Sequence, residues 1–282
     1  MNATIRSDNA SSSAASGLDT ARTTTASTTT ARTTTASTAA TVTRFTRRQH
    51  VIAWAVHAFT LTGLVWATLA VVALLEGRPH WMWLWLGIAL VVDGVDGNMA
   101  RKHRIKEVVP WFNGAVVDNI VDYLTWTAIP AAFMVMYLPL GPRPLAIALM
   151  ILVLVSSMFC YANEAAKSGD YYFVGFPAAW NIVAVLLWVW NAPMAVCIAA
   201  IFIFSAMTLV PLHYTHPFRV ERGRIANIAA TFIWILSTGM LIASETMAAS
   251  LSKTSIHELV AVNVAAGAWL IVGGVRRSLS GR

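Results

Sequence analysis

Eight apolar runs separated by short polar connections set the pattern of this chain. They cover about 51–75, 81–95, 115–138, 145–161, 172–190, 194–212, 225–242 and 259–275. A helix needs roughly 20 apolar residues to cross a bilayer, and most of these runs approach that length. The pattern predicts an all-α, polytopic bundle of about eight transmembrane helices. An even number of spans puts both termini on one side. The connections that fall on that side are basic: the flank with Arg44, Arg47 and Arg48, the loop Arg101–Lys106, the loop Arg219–Arg224 and the tail Arg276–Arg282. The opposite connections carry only Arg78, Arg143 and Lys253. Cytoplasmic loops hold the excess of Lys and Arg, so both termini are expected in the cytoplasm.

Residues 1–43 differ from the rest. The decapeptide T-A-R-T-T-T-A-S-T-T from Thr20 is nearly repeated from Thr30. A segment so poor in apolar residues cannot offset its ordering entropy, which predicts a disordered tail. It contains no apolar h-region of a secretory signal. The membrane domain is therefore expected over 44–282. Composition agrees, with 57% hydrophobic and 12% charged residues and a mean hydropathy of +0.62. The net charge of +7 sits mostly beside the apolar runs, which points to membrane orientation and not to nucleic acid. Cys160 and Cys197 both lie inside apolar runs, with neither zinc spacing nor a disulfide framework.

The stretch from Asp93 to Asp122 carries the chemistry. Asp93 and Asp96 are three residues apart, and Asp118 and Asp122 four apart, so each pair shares a helix face. The first pair ends the second run and the second pair opens the third. A short connection makes those helices antiparallel neighbours, which lets the pairs face each other. Ionised groups in an apolar setting require a function or a partner. Four converging carboxylates need cations, and an all-oxygen site suits Mg²⁺ or Mn²⁺. Two such ions about 4 Å apart can clamp a phosphoryl displacement. Gly97, Ala100 and Gly114 leave room for a ligand, and Arg101 offers a planar fork to phosphate. Lys102, Arg104 and Lys106 place a positive field at the membrane surface.

These residues, D-G-V-D-G-N-M-A-R and G-A-V-V-D-N-I-V-D, resemble the signature of the CDP-alcohol phosphatidyltransferases. Twelve residues separate Arg101 from Gly114, more than the usual family pattern has. That longer gap resembles the branch that forms phosphatidylcholine. So do F-V-G-F-P-A-A-W-N at Phe173–Asn181 and V-P-L-H-Y-T-H-P-F-R-V at Val210–Val220. The resemblance implies transfer of the phosphatidyl group of CDP-diacylglycerol to choline, releasing CMP, in a bacterial inner membrane with the site at its cytoplasmic face. It implies that Asp93, Asp96, Asp118 and Asp122 bind Mg²⁺ or Mn²⁺, as two ions, and that Asp122 is also the general base. Gly97, Ala100, Arg101 and Gly114 would line the CDP pocket, and a homodimer is consistent with the family.

Choline adds its own demand. A quaternary ammonium donates no hydrogen bond and is held by aromatic faces near negative charge. Tyr123, Trp126, Tyr161, Tyr171, Tyr172 and Trp180 are the candidates, with Glu164 as the acid and Asn181 to orient the hydroxyl. His57, inside the first run, reads as a packing residue. Two other readings stay open. The acceptor could be serine, inositol phosphate or glycerol phosphate, although a phosphorylated acceptor needs a further basic pocket. The acids could instead serve a divalent-cation or proton-coupled transporter, but transporters tend to place such groups near the midplane on broken helices.

Overall fold

The computed structural model describes residues 45–163, 172–216, 218–221, 223–246 and 252–280. The Thr-rich tail, Glu164 and Tyr171 lie outside them. Helix α1 (Arg47–Leu75) starts at a capping box. Gln49 N–H donates to the Thr46 hydroxyl at 3.3 Å, and Thr46 N–H donates to Gln49 Oε1 at 2.7 Å. The buried face of α1 is built mostly from small residues, among them Ala53, Gly63, Ala67, Ala70 and Ala73. Small residues let helix backbones approach closely. A Cβ on Gly63 would stand 2.5 Å from Val121 Cγ1, so glycine sets that approach.

Helix α2 (Pro79–Lys102) returns antiparallel to α1. A single turn, α3 (Ile105–Val108), seats this connection on α1, with Ile105, Val108 and Val109 packed on Ala53 and Val56. Next, α4 (Gly114–Asp122) passes into a π-helical turn (Tyr123–Ala128) and then α5 (Ile129–Tyr137). The cause of the π turn is legible in the chain. Pro130 has no N–H for the Trp126 carbonyl four residues back, and its ring crowds that carbonyl. Helix α6 (Arg143–Ala162) follows, then strand β1 (Phe173–Val174), α7 (Trp180–Val189), α8 (Met194–Met207), strand β2 (His213–Tyr214), α9 (Arg224–Thr246) and α10 (Lys253–Leu279).

Each apolar run holds a helix, and five helices among the described residues are long and apolar enough to cross a membrane: α1, the composite 114–137, α6, α9 and α10. Large apolar side chains remain exposed on them, such as Val51, Ile151, Ile225, Leu236 and Ile271. Such helices suit a lipid surrounding, and the protein is an all-α membrane protein. Helix α2 has the length, but Asp93, Asp96, Arg101 and Lys102 dilute its apolar character. The run over 172–190 is helical only from Trp180, because Pro177 and the β1 strand occupy its first part. Helices α7 and α8, at 10 and 14 residues, are shorter than a full span.

The two strands pair antiparallel, Phe173 opposite Tyr214 and Val174 opposite His213. Gly175 follows at φ +83°, and a Cβ there would stand 2.6 Å from the Thr208 carbonyl oxygen. Helix α10 docks on the same patch. The His213 N–H donates to Ser278 Oγ at 2.8 Å, and the Thr215 hydroxyl donates to the Leu270 carbonyl at 2.7 Å. Burial pushes the Tyr214 hydroxyl up to about 12, so it stays neutral.

Candidate active site

The antiparallel α1–α2 pair and the short α3 connection bring the C-terminal end of α2 beside the N-terminal end of α4. One carboxylate oxygen each from Asp93, Asp118 and Asp122 lie within 4.8 Å of one another, all three residues being half-buried. At that spacing each pair of like charges repels by roughly 3–4 kcal/mol for an effective dielectric constant of about 20. Three ionised carboxylates so placed call for a cation. The all-oxygen donor set fits a hard divalent ion, and one oxygen of Asp122 is shielded from water.

Asp96 stands apart from this trio. It is only 4% exposed, and its carboxylate lies against the Thr60 hydroxyl of α1 and the Gly97 N–H, with the Arg101 guanidinium near. Thr60 is a neighbour that sequence spacing does not reveal, because it comes from a third helix. Arg101 is exposed and donates to Asn98 Oδ1 at 2.6 Å. Its guanidinium folds back over Gly97, where a Cβ would stand 3.3 Å from Nη1. Ala100 packs with Met99 and Phe112 beneath the connection.

Gly114 begins α4 directly against His57. A Cβ there would stand 2.7 Å from the ring carbon Cε1 and 2.9 Å from Nδ1. His57 is a packing residue in that its ring meets Phe112 edge-on at 4.5 Å and Trp54 at 5.7 Å. Its buried Nε2 has no hydrogen-bond partner among the described residues.

The aromatic candidates divide. The Tyr123 and Tyr161 rings meet at 5.6 Å and 81°, and Tyr161 lies close to both Asp122 and Asp93. Trp180 is fully buried and donates through Nε1 to Ser157 Oγ at 2.9 Å. It packs edge-on to Phe176 in the core. Tyr172 is buried against His213, and Trp126 is half-buried against the main core. Asn181 Oδ1 accepts from the Ile182 N–H at 2.8 Å. Of the five aromatic candidates among the described residues, the structure therefore brings Tyr123 and Tyr161 to the acids.

The model of the CDP-alcohol phosphatidyltransferase family matches residues 54–212, which contain the acids, both tyrosines and the strand β1. The chain belongs to the CDP-alcohol phosphatidyltransferase family. Several bacterial relatives in that family carry the name phosphatidylcholine synthase. The Pseudomonas aeruginosa protein is 47% identical over 193 residues, covering 68% of this chain and 81% of its own length. The Rhizobium johnstonii protein is 38% identical over 182 residues, covering 64% and 75%. That of Borreliella burgdorferi is 31% identical over 207 residues, covering 72% and 88%.

Proposed function

We propose that this family member transfers the phosphatidyl group of CDP-diacylglycerol to choline, forming phosphatidylcholine and CMP. The observation that carries the proposal is the Asp93–Asp118–Asp122 convergence, with oxygens within 4.8 Å, beside a right-angled pair of tyrosines. The name shared by the relatives supports the acceptor. Asp93, Asp118 and Asp122 would hold divalent metal, as Mg²⁺ or Mn²⁺, and a second ion would require Asp96 to turn from Thr60 toward the trio. When bound, the metal supplies positive charge to the pyrophosphate and to the departing CMP.

The protein's own groups do the rest. Gly97, Ala100 and Gly114 leave space for the nucleotide, and Arg101 turns its fork to a phosphate oxygen. Asp122 takes the proton of the choline hydroxyl. The choline oxygen then bonds to the phosphorus that carries diacylglycerol, and the bond from that phosphorus to the bridging oxygen breaks. CMP leaves with the electron pair. Tyr123 and Tyr161 offer aromatic faces to the quaternary ammonium, and the nearby carboxylates add negative charge.

The eight helical segments cross or enter the bacterial inner membrane with both termini in the cytoplasm, in line with the basic flanks. The acids sit at the cytoplasmic face, where lipid tails can stay in the bilayer while CMP escapes to water.

The deciding experiment offers labelled choline, serine, inositol phosphate and glycerol phosphate to purified protein with CDP-diacylglycerol and Mn²⁺. Labelled phosphatidylcholine is the expected lipid product. Turnover of another acceptor in its place moves the protein to a different branch of the family.

A further inference from the structure

Helices α9 and α10, both long and apolar enough to cross a membrane, form an antiparallel hairpin whose register is set by buried polar groups. Asn263 Nδ2 donates to Ser237 Oγ at 3.0 Å and to Thr238 Oγ1 at 2.8 Å. Nearer the start of α9, Trp269 Nε1 donates to Asn227 Oδ1 at 3.1 Å. That register brings Arg224, the first residue of α9, opposite the last turns of α10, where Arg276 and Arg277 lie. The segment after β2 closes the same end. Strand β2 is fastened to α10 through Ser278 and Leu270, and a Cβ on Gly273 would stand 2.8 Å from Thr215 Oγ1. The N–H groups of Arg219 and Val220 both donate to the His216 carbonyl at 3.2 Å, and Val220 is buried. Arg219 is thereby held between the end of α10 and the start of α9. Three stretches of chain deliver four arginines to one end of the hairpin, against a single acid, Glu221, in 209–224 and 264–282.

We propose that the open end of this hairpin binds the headgroup of an anionic phospholipid, with Arg219, Arg224, Arg276 and Arg277 supplying guanidinium forks to its phosphate. Arg219, Arg224 and Arg276 make no ion pair or side-chain hydrogen bond among the described residues, and Arg219 and Arg277 are half-buried. Orientation in the membrane needs only that arginines sit in a connection. It needs neither their convergence from three segments nor their burial. A guanidinium group matches phosphate oxygens with two parallel donors, and a bilayer holds lipid phosphates at the level where apolar helices end. The residues among the arginines favour a lipid over a soluble phosphate. Ile225, next to Arg224, is 86% exposed, and Leu279, two residues past Arg277, is 82% exposed. Phe218, beside Arg219, is exposed as well. Such side chains gain nothing from a free phosphate ion, but they can cover the glycerol and upper acyl carbons of a lipid. Binding of this lipid is independent of which alcohol accepts the phosphatidyl group.

The test places the full-length protein in neutral detergent micelles doped with dioleoyl phosphatidylglycerol or dioleoyl phosphatidylethanolamine. Native mass spectrometry then counts the lipids that the protein retains. The parent is expected to hold phosphatidylglycerol about tenfold more tightly than the zwitterionic lipid. One arginine near an anionic surface is worth about fivefold in partition. Arg219→Gln and Arg276→Gln should therefore each weaken phosphatidylglycerol retention by about fivefold, and together by about twentyfold, with phosphatidylethanolamine unchanged. Arg224→Gln, at an exposed position, takes the place of either variant that fails to fold. Arg47→Gln with Arg48→Gln removes as much charge from the exposed flank of α1 and should leave retention as it is. Equal retention of the two lipids by the parent would overturn the proposal. So would an equal loss in the α1-flank pair, which would reduce the effect to net charge. Displacement of phosphatidylglycerol by millimolar inorganic phosphate would give the cluster to a soluble anion and overturn the lipid assignment.

Discussion

In the proposed reaction Asp122 has two duties, and exchanging one carboxylate oxygen for an amide nitrogen separates them. Asn at this position keeps an oxygen that can face a cation but cannot take a proton. General-base catalysis contributes roughly 10²–10⁴-fold. Asp122→Asn is therefore expected to lower turnover by at least about 10²-fold while CDP-diacylglycerol binding holds within a few-fold, by titration of the variant with the lipid nucleotide. Turnover near the parental level would remove Asp122 as the base. Asp96 shows where spacing alone runs out. The i, i+3 relation to Asp93 is correct for one helix, yet the two carboxylates diverge, and Asp96 turns to Thr60. No pattern within α2 could report that, because the deciding group belongs to α1.

At the scale of elements, three of the four acids are readable because helix geometry converts the Asp118–Asp122 offset into proximity. The convergence of Asp93 with Asp118 and Asp122 follows from two helices joined by a short connection. The fifth apolar run was misleading for a physical reason. Hydropathy does not distinguish a buried strand and turn from a helix, and here Phe173–Ala179 spends its apolar residues on β1 and the Gly175 turn. The partner of that strand lies at His213–Tyr214, too far along the chain for a local signal. The two family-like stretches were visible as sequence, but not as one paired unit. Gly175 marks how tightly that unit closes. Gly175→Ala places a Cβ 2.6 Å from a backbone oxygen at φ +83°, at a cost of about 1–3 kcal/mol. A lowered thermal midpoint in detergent, read by scanning fluorimetry, is the expected result, and an unchanged midpoint would show that the turn relaxes freely.

For the molecule as a whole, the apolar helices and the acidic cluster divide the work. Exposed residues such as Ile151 at 54% and Ile271 at 57% line the apolar helices, while three carboxylates gather where α2 ends and α4 begins. Removing divalent ions with EDTA is expected to stop turnover, and added Mn²⁺ or Mg²⁺ to restore it. Activity that survives thorough chelation would require another way to balance the charge of three converging carboxylates. The membrane class of the fold was legible from hydropathy alone. The depth to which α2, α7 and α8 enter was not, because charged and short segments blur that signal.

The π turn at Tyr123–Ala128 has one more consequence. It places an extra residue in a helix that is otherwise regular, and one residue is worth about 100° of rotation. Deleting a single position within it would leave a continuous apolar rod of nearly the same length, invisible to any hydropathy profile. The wider turn is what takes up that rotation, so on closing to an α turn it would leave everything from Pro130 onward facing as before relative to Asp118 and Asp122. Length variation of one residue is thus absorbed at this one point, which keeps both the acids and the far half of the helix in place.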